Sequence, residues 1–343
     1  MSEQLLKGAA AEEALRNYFL SIGFFVARGC LFKYNQFDVT DVDLWLYGKS
    51  SALSRERLNV DIKNKKTPQA LERIFWAKGL QFVLGVEGCI VATTDQRPDV
   101  REFGLKHQVR VLDGSFLSRL TKSSRSHLQR ITEEQFFEQI DSGSMGKLGG
   151  DWKGRYEKSK SRLLDSLTFD GCNAWLIDIG YFFEQLFCST SNTTPAWRMI
   201  YTACSHLVVA IDFILRDHVA IEPDQQKTLL EDGFRYGSAG KLFTEKVGEM
   251  ISALADSVAA QPGIADTINH ELREQAASVR AEILAEFLSQ RPAQRGLFDA
   301  ARELEAAAFA IQPPMPSNLS ASVQSLLGVL ADFFGFDRKR IIV

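Results

Sequence analysis

Arg57-Leu58-Asn59-Val60-Asp61-Ile62-Lys63 alternates polar and apolar side chains without a fault, and upstream of it Val42-Asp43-Leu44-Trp45-Leu46 supplies another apolar strand bearing a carboxylate. A period of two places Leu58, Val60 and Ile62 on one face and Arg57, Asn59, Asp61 and Lys63 on the other. An acid and an ammonium projecting together from a strand end suit a divalent cation with a water or phosphate oxygen beside it. The triplet alone is weak, because Asp151-Trp152-Lys153 and Asp337-Arg338-Lys339 repeat it. The first follows a glycine-rich stretch and the second sits in a charged tail, so only the triplet at 61–63 closes an alternating strand. An ordinary edge-strand ion pair is its other reading.

Outward from these strands, the pattern predicts a helix over 3–22, a strand over 24–28, a helix over 68–84 with Pro68 in its first turn, a strand over 89–93, a helix over 98–107, a strand over 109–112 and a helix over 114–120. Alternating helices and strands imply an α/β domain over residues 1–121. Beyond it the strand signals stop. Thr132-x-x-Gln135 has the form of a capping box and opens a bridging helix to 140, and the Gly/Ser-rich run 141–150 reads as a linker, so 122–150 joins the α/β domain to an all-helical domain over 151–343. Helices are expected there near 153–168, 173–188, 196–218, 223–233, 239–260, 264–289, 295–310 and 319–334, punctuated by prolines. That domain is expected to serve recognition, oligomerisation or regulation.

With 343 residues and 45% hydrophobic content the chain can fill two cores. Its net charge of -3 hides an asymmetry: residues 1–122 carry a surplus of four positive charges and the rest a surplus of seven negative ones. Five cysteines without a C-x-x-C pair read as reduced thiols, and five scattered histidines form no metal or Ser-His-Asp pattern. No phosphate-loop motif points to an ATPase motor. The N-terminus lacks a signal-peptide pattern, which leads us to expect a cytoplasmic protein. The apolar run 199–215 is short and interrupted by His206 and Asp212, so it reads as a buried helix with no role in a membrane.

On the first helix, steps of about 100° put Leu5, Glu12 and Phe19 on one stripe and turn Glu13 away from it. An inward Glu12 among apolar neighbours calls for a cation or donors. Lys65, Lys66, Arg73 and Lys78 follow the strand end and read as phosphate contacts to nucleic acid, with Arg28 and Lys33 extending that surface; a solvated basic face is the alternative. Asp38 or Asp41 replaces Asp43 if the strand register differs.

Lys7-Gly8-Ala9-Ala10-Ala11-Glu12, Leu15, Gly23-Phe24 and Val26-Ala27-Arg28, followed by Val42-Asp43-Leu44 and Val60-Asp61-Ile62-Lys63, resemble the motifs of archaeal Holliday-junction resolvases within the PD-(D/E)XK nuclease superfamily. Gly88-Cys-Ile-Val-Ala-Thr-Thr94, Glu102-Phe103 and Val111-Leu112-Asp113-Gly114 are more similar to the end of an Mrr-type restriction endonuclease domain. The resemblance covers about the first third of the chain. It implies a restriction-endonuclease-like fold and a metal-dependent DNA endonuclease in which Glu12, Asp43, Asp61 and the Ile62 carbonyl bind Mg²⁺, or Mn²⁺ in its place, and Lys63 assists the attacking water. A restriction or antiviral defence role and a homo-oligomer formed through the helical domain are expectations of the same kind. Asp61 stands where the resolvases carry Glu, and the helical extension is foreign to them, so junction specificity does not carry over. A catalytically idle module that binds nucleic acid or a protein, and an RNA-directed nuclease, are the competing readings.

Overall fold

Strands β1 (Phe25–Tyr34), β2 (Phe37–Lys49) and β3 (Arg55–Lys63) form an antiparallel meander, which β4 (Gly88–Thr93) and β5 (Arg110–Leu112) continue in parallel to give one sheet in the order β1-β2-β3-β4-β5. The change of sense follows from the connections. A short polar turn reverses β2 into β3, whereas helix α2 (Ala70–Leu84) separates β3 from β4 and α3 (Pro98–Lys106) separates β4 from β5, as parallel pairing requires. This architecture comes from a computed structural model that describes residues 7–35, 37–65, 67, 69–123, 130–142, 150–188, 192–258 and 264–342.

β1 and β2 are longer than the apolar runs that announce them, because their hairpin extends past the core into exposed pairs such as Lys33 with Asp38. Backbone pairing continues there although alternation fades. Helices α1 (Lys7–Ser21) and α4 (Gly114–Ser123) cover one face of the sheet, where Leu15, Phe19 and Leu117 pack on Leu44, Leu58, Val60 and Ile62. On the opposite face α2 and α3 bring Ile74, Ala77 and Val100 onto Cys89 and Val91. The face of β3 expected to be polar is therefore covered as well. Asn59 is fully buried and donates to the Ala77 carbonyl at 3.2 Å. A strand between two others with helices on both sides has no solvent face.

The remainder is helical: α5 (Glu133–Ser142), α6 (Trp152–Asp165), α7 (Phe169–Cys188), α8 (Thr194–Leu215), α9 (Pro223–Tyr236), α10 (Gly240–Val258), α11 (Ile264–Ser278), α12 (Ala281–Leu288), α13 (Arg291–Phe309), α14 (Ala321–Phe334) and α15 (Lys339–Ile342). One helix expected over 264–289 is two. The chain breaks at Val279-Arg280, where Arg280 leaves helical geometry, and α12 turns to bury Ala281, Leu284, Ala285 and Leu288. No proline or glycine marks that break, so tertiary burial sets it. Helix α8 is central, and although the segment 194–218 is long and apolar enough to cross a membrane, 89% of its most apolar window is buried inside the protein. Four of the five free cysteines, 30, 89, 172 and 204, are buried.

The two halves share a core. Phe25, Ala27, Cys30, Val42, Trp45 and Tyr47 of β1 and β2 belong to the same apolar cluster as Tyr156, Trp175 and the α8 side chains. Residues 143–149, within the expected linker, lie outside the described residues. Buried polar ties cross the junction. Asp212 of α8 accepts from Tyr47 Oη at 2.7 Å and Lys49 Nζ at 2.9 Å and pairs with Arg55. Glu133 meets Arg16 at 3.1 Å, Tyr156 Oη at 2.6 Å and Lys160 Nζ at 2.6 Å. Burial pushes the Glu133 carboxyl up, but Lys160 and Arg16 outweigh it and hold the group down at about 2.

Candidate active site

The last pair between β2 and β3 is Leu44 with Val60, and beyond it the strands part. Asp43 fills the gap: its Oδ2 accepts the Ile62 N–H at 2.6 Å. Period-two geometry brings Asp61 and Lys63 to the same end of β3. Asp43 is pushed above its ordinary value by burial and by the negative charge of Glu12, against the Ile62 hydrogen bond and the positive charges of Lys63 and Arg73. Glu12, Asp43, Lys63 and Arg73 thus share one electrostatic neighbourhood at this corner of the sheet.

The carboxylates are already engaged. Asp61, 6% exposed, is gripped at both oxygens by Arg73 from the first turn of α2, with Arg73 Nε 2.7 Å from Oδ2 and the second contact running from Nη2 to Oδ1. The guanidinium also lies over the Trp76 ring, 5.5 Å from its centre. Burial lowers the Arg73 pKa, opposed by Asp43. Glu12 accepts from Arg28 Nε at 2.9 Å, and Arg28 further contacts Glu13 and Glu134, each at 2.8 Å.

This arrangement places the expected residues unevenly. Arg28 is buried in ion pairs, so it does not extend a phosphate-facing surface. Glu13, expected to point away, is 6% exposed and bound to Arg28; α1 is enclosed between the sheet and the helical half and has two buried faces. Leu5 and Lys66 fall outside the described residues. Lys65 is exposed near the site, and its carbonyl accepts Thr94 Oγ1 at 2.5 Å. Lys78 is five residues from Arg73 on α2, about 140° around the helix, so these two do not share a face. Asp41 is exposed, and Asp38 pairs with Lys33 at 3.0 Å on the outer hairpin, which leaves Asp43 as the β2 carboxylate at this corner.

A cavity of about 220 Å³ is lined by Ala11, Asn64, Thr94, Gln96, Gly114 and Ser118 among others, and by none of Glu12, Asp43, Asp61 and Lys63. Ala11 and Asn64 are chain neighbours of Glu12 and Lys63. The lining joins α1, the ends of β3 and β4 and the start of α4, a concave place where strands end and a small group can enter.

Mg²⁺ favours several oxygen ligands in near-octahedral geometry. Among the described residues no three His, Cys, Asp or Glu side chains are grouped to hold a metal ion. Asp61 is spent on Arg73 and Glu12 on Arg28, so as arranged the carboxylates do not fit a Mg²⁺ site. Neither arginine partnership has a local signal, because each joins residues distant in sequence.

No family model matches this chain, and no curated protein or solved structure matches it.

Proposed function

We propose that the α/β half is an endonuclease domain that hydrolyses phosphodiester bonds of DNA, with Asp43, Asp61 and Lys63 at its centre and Glu12 beside them. The observation that carries this reading is the Asp43 carboxylate held on the Ile62 N–H where β2 and β3 part, at the strand end that carries Asp61 and Lys63. In the proposed reaction water oxygen bonds to phosphorus, the ester P–O bond breaks, and a proton reaches the leaving oxygen. Lys63 supplies positive charge beside the phosphoryl group. Lys65 offers a phosphate contact beside the site. Mg²⁺, or Mn²⁺, is the cofactor of this proposal, although Asp61 on Arg73 and Glu12 on Arg28 leave no ready ligand set for it.

The helical half is proposed to regulate or target this domain, since it packs directly on β1 and β2 and contacts Glu12 through Arg28. A cytoplasmic restriction or antiviral defence enzyme acting as a homo-oligomer completes the proposal, because one site cuts one strand and a symmetric pair cuts two.

A second reading has its own support. Asp61 clasped by Arg73 and Glu12 by Arg28 are what an idle nuclease-like module that only binds nucleic acid or a protein would show. Incubating plasmid, single-stranded DNA and RNA with Mg²⁺ or Mn²⁺ separates the readings. Cleavage lost in Asp61→Ala and Lys63→Ala supports the nuclease, and DNA preferred over RNA in competition supports its substrate. Binding without cleavage supports the idle module, and equal cleavage by all three proteins removes the proposed site.

A further inference from the structure

Helix α2 is apolar on both sides. Ala70, Ile74, Ala77 and Leu84 turn inward and are buried. The opposite side carries Leu71, Phe75, Trp76, Phe82 and Val83, exposed at 41%, 63%, 47%, 88% and 62%. A helix that is apolar all round is normally covered all round, and this one is covered on one side. Its outer rings are held in place: Phe75 meets Phe103 edge to face with ring centres 5.5 Å apart, and Trp76 lies under the Arg73 guanidinium. At about 200 Å² per aromatic side chain, the three exposed rings alone present on the order of 400 Å². Apolar patches of that size mark interaction sites. Gly79 sits in the middle of the stripe, where an added Cβ would meet nothing within 4 Å among the described residues. Glycine weakens a helix interior, so nothing within the chain calls for it there.

We propose that the outer face of α2 is a homodimer interface, in which the α2 helices of two copies pack antiparallel across a two-fold axis at Gly79. The stripe is self-complementary about that residue, as an isologous contact requires. In steps of about 100° per residue, Phe75 and Phe82 fall on one side of Gly79, and Trp76 and Val83 on the other. The two-fold axis then sets Phe75 against Phe82 of the second copy and Trp76 against its Val83, and the absence of a side chain at Gly79 lets the two backbones approach. The rings with Leu71 and Val83 supply a large part of the roughly 800 Å² that each partner gives to a standard interface. The charged side chain on this face is Glu72, and a phosphate surface is met by cations, so nucleic acid is not the occupant. The inference goes beyond the nuclease reading: it places the contact of the proposed homo-oligomer on the α/β half, and it stands whether or not that half cuts DNA.

The test is the mass of the full-length protein in solution, measured by sedimentation equilibrium without DNA or metal at about 50 μM, above the μM-to-pM range of standard interfaces. Wild type should have twice the chain mass. F75E/F82E should have the mass of one chain and the wild-type melting temperature, because both side chains are exposed in the single copy. L242E/F243E, which alters exposed apolar residues of the helical half, should remain a dimer. With Gly79 on the axis the two Cα atoms come within the roughly 4.4–6.8 Å that a disulfide spans. G79C should therefore form a disulfide-linked dimer on mild oxidation, in a C188S background because Cys188 is itself exposed. If F75E/F82E fails to fold, G79C, which leaves the apolar stripe intact, decides the question. A wild-type protein of single-chain mass overturns the proposal, as does a dimer that survives F75E/F82E or is lost in L242E/F243E, or a G79C protein that does not cross-link. None of these results touches the dependence of plasmid cleavage on Asp61, so the two readings fail separately.

Discussion

Arg28 donates from Nε to Glu12 Oε2 at 2.9 Å, and through the same guanidinium it reaches Glu134 of α5 at 2.8 Å. One side chain therefore ties a carboxylate of the candidate site to the first helix of the following region. Lys160 of α6 reinforces the tie by donating to the Arg28 carbonyl at 2.8 Å. The position of Glu12 is a property of the whole molecule, set by contacts from both sides of the junction.

Arg28→Ala should cost about 1.5–3 kcal/mol of unfolding free energy, the scale of hydrogen bonds to charged groups, because Glu13 keeps Arg16 at 3.5 Å and the Glu133 N–H at 3.1 Å. Glu134→Gln removes a more exposed partner and should cost under about 1 kcal/mol. Urea denaturation of both variants checks the ranking. A wild-type midpoint for Arg28→Ala would mean that the network does not hold the junction.

Asp212 gives a second, independent reading of that junction. Its replacement by Ala leaves Arg55 buried without its carboxylate and should cost about 3–5 kcal/mol, whereas Tyr47→Phe removes one hydrogen bond and should cost about 1–2 kcal/mol. Both effects should appear as one cooperative transition, because β2 and α8 share a core. A transition that splits, with the helical half melting at its wild-type temperature, would show that the halves fold apart.

Acid should unfold the protein earlier than its exposed carboxylates alone would. Burial pushes His206 down to about 3, helped by the charges of Lys160 and Arg162, and Glu133 is held at about 2. Both folded-state values lie below the unfolded ones, so each group adds stability that is complete above its unfolded pKa and is lost as pH falls toward the folded value. Stability should fall from about pH 6.5 through the carboxylate range. His206→Gln should flatten the part of the curve between about pH 6.5 and 5, measured by denaturation at a series of pH values; an unchanged curve would contradict a buried neutral histidine at that position.

The alternation Leu58–Val60–Ile62 reads as one buried face because burial follows a local period, and α3, α5, α8, α9 and α13 announce themselves by prolines or a capping box and by apolar stripes, whereas Pro68, expected in the first turn of α2, lies outside the described residues. The order of strands and helices was legible for the same reason. Glu13 was misread because a helical wheel assumes one buried face, and α1 has two. Asn59 and Asp61 share the polar face of β3 by pattern, and nothing in the strand says that α2 will fold over it. The pairs Asp61 with Arg73 and Glu12 with Arg28 join residues 12 and 16 positions apart, beyond any helical or strand period, so only the folded chain reveals them. The break at Arg280 has the same character: burial of Ala281 and Leu284 decides it, and no residue there forbids a helix.

Cleavage of supercoiled plasmid with Mn²⁺, by wild type and by Asp61→Asn and Lys63→Gln, tests the proposed site most directly. The account predicts nicked or linear product from wild type and a loss of at least about a hundredfold in each variant, the scale on which removal of a transition-state charge partner acts. Undiminished cleavage by Asp61→Asn, in a protein with a wild-type melting curve, would contradict it.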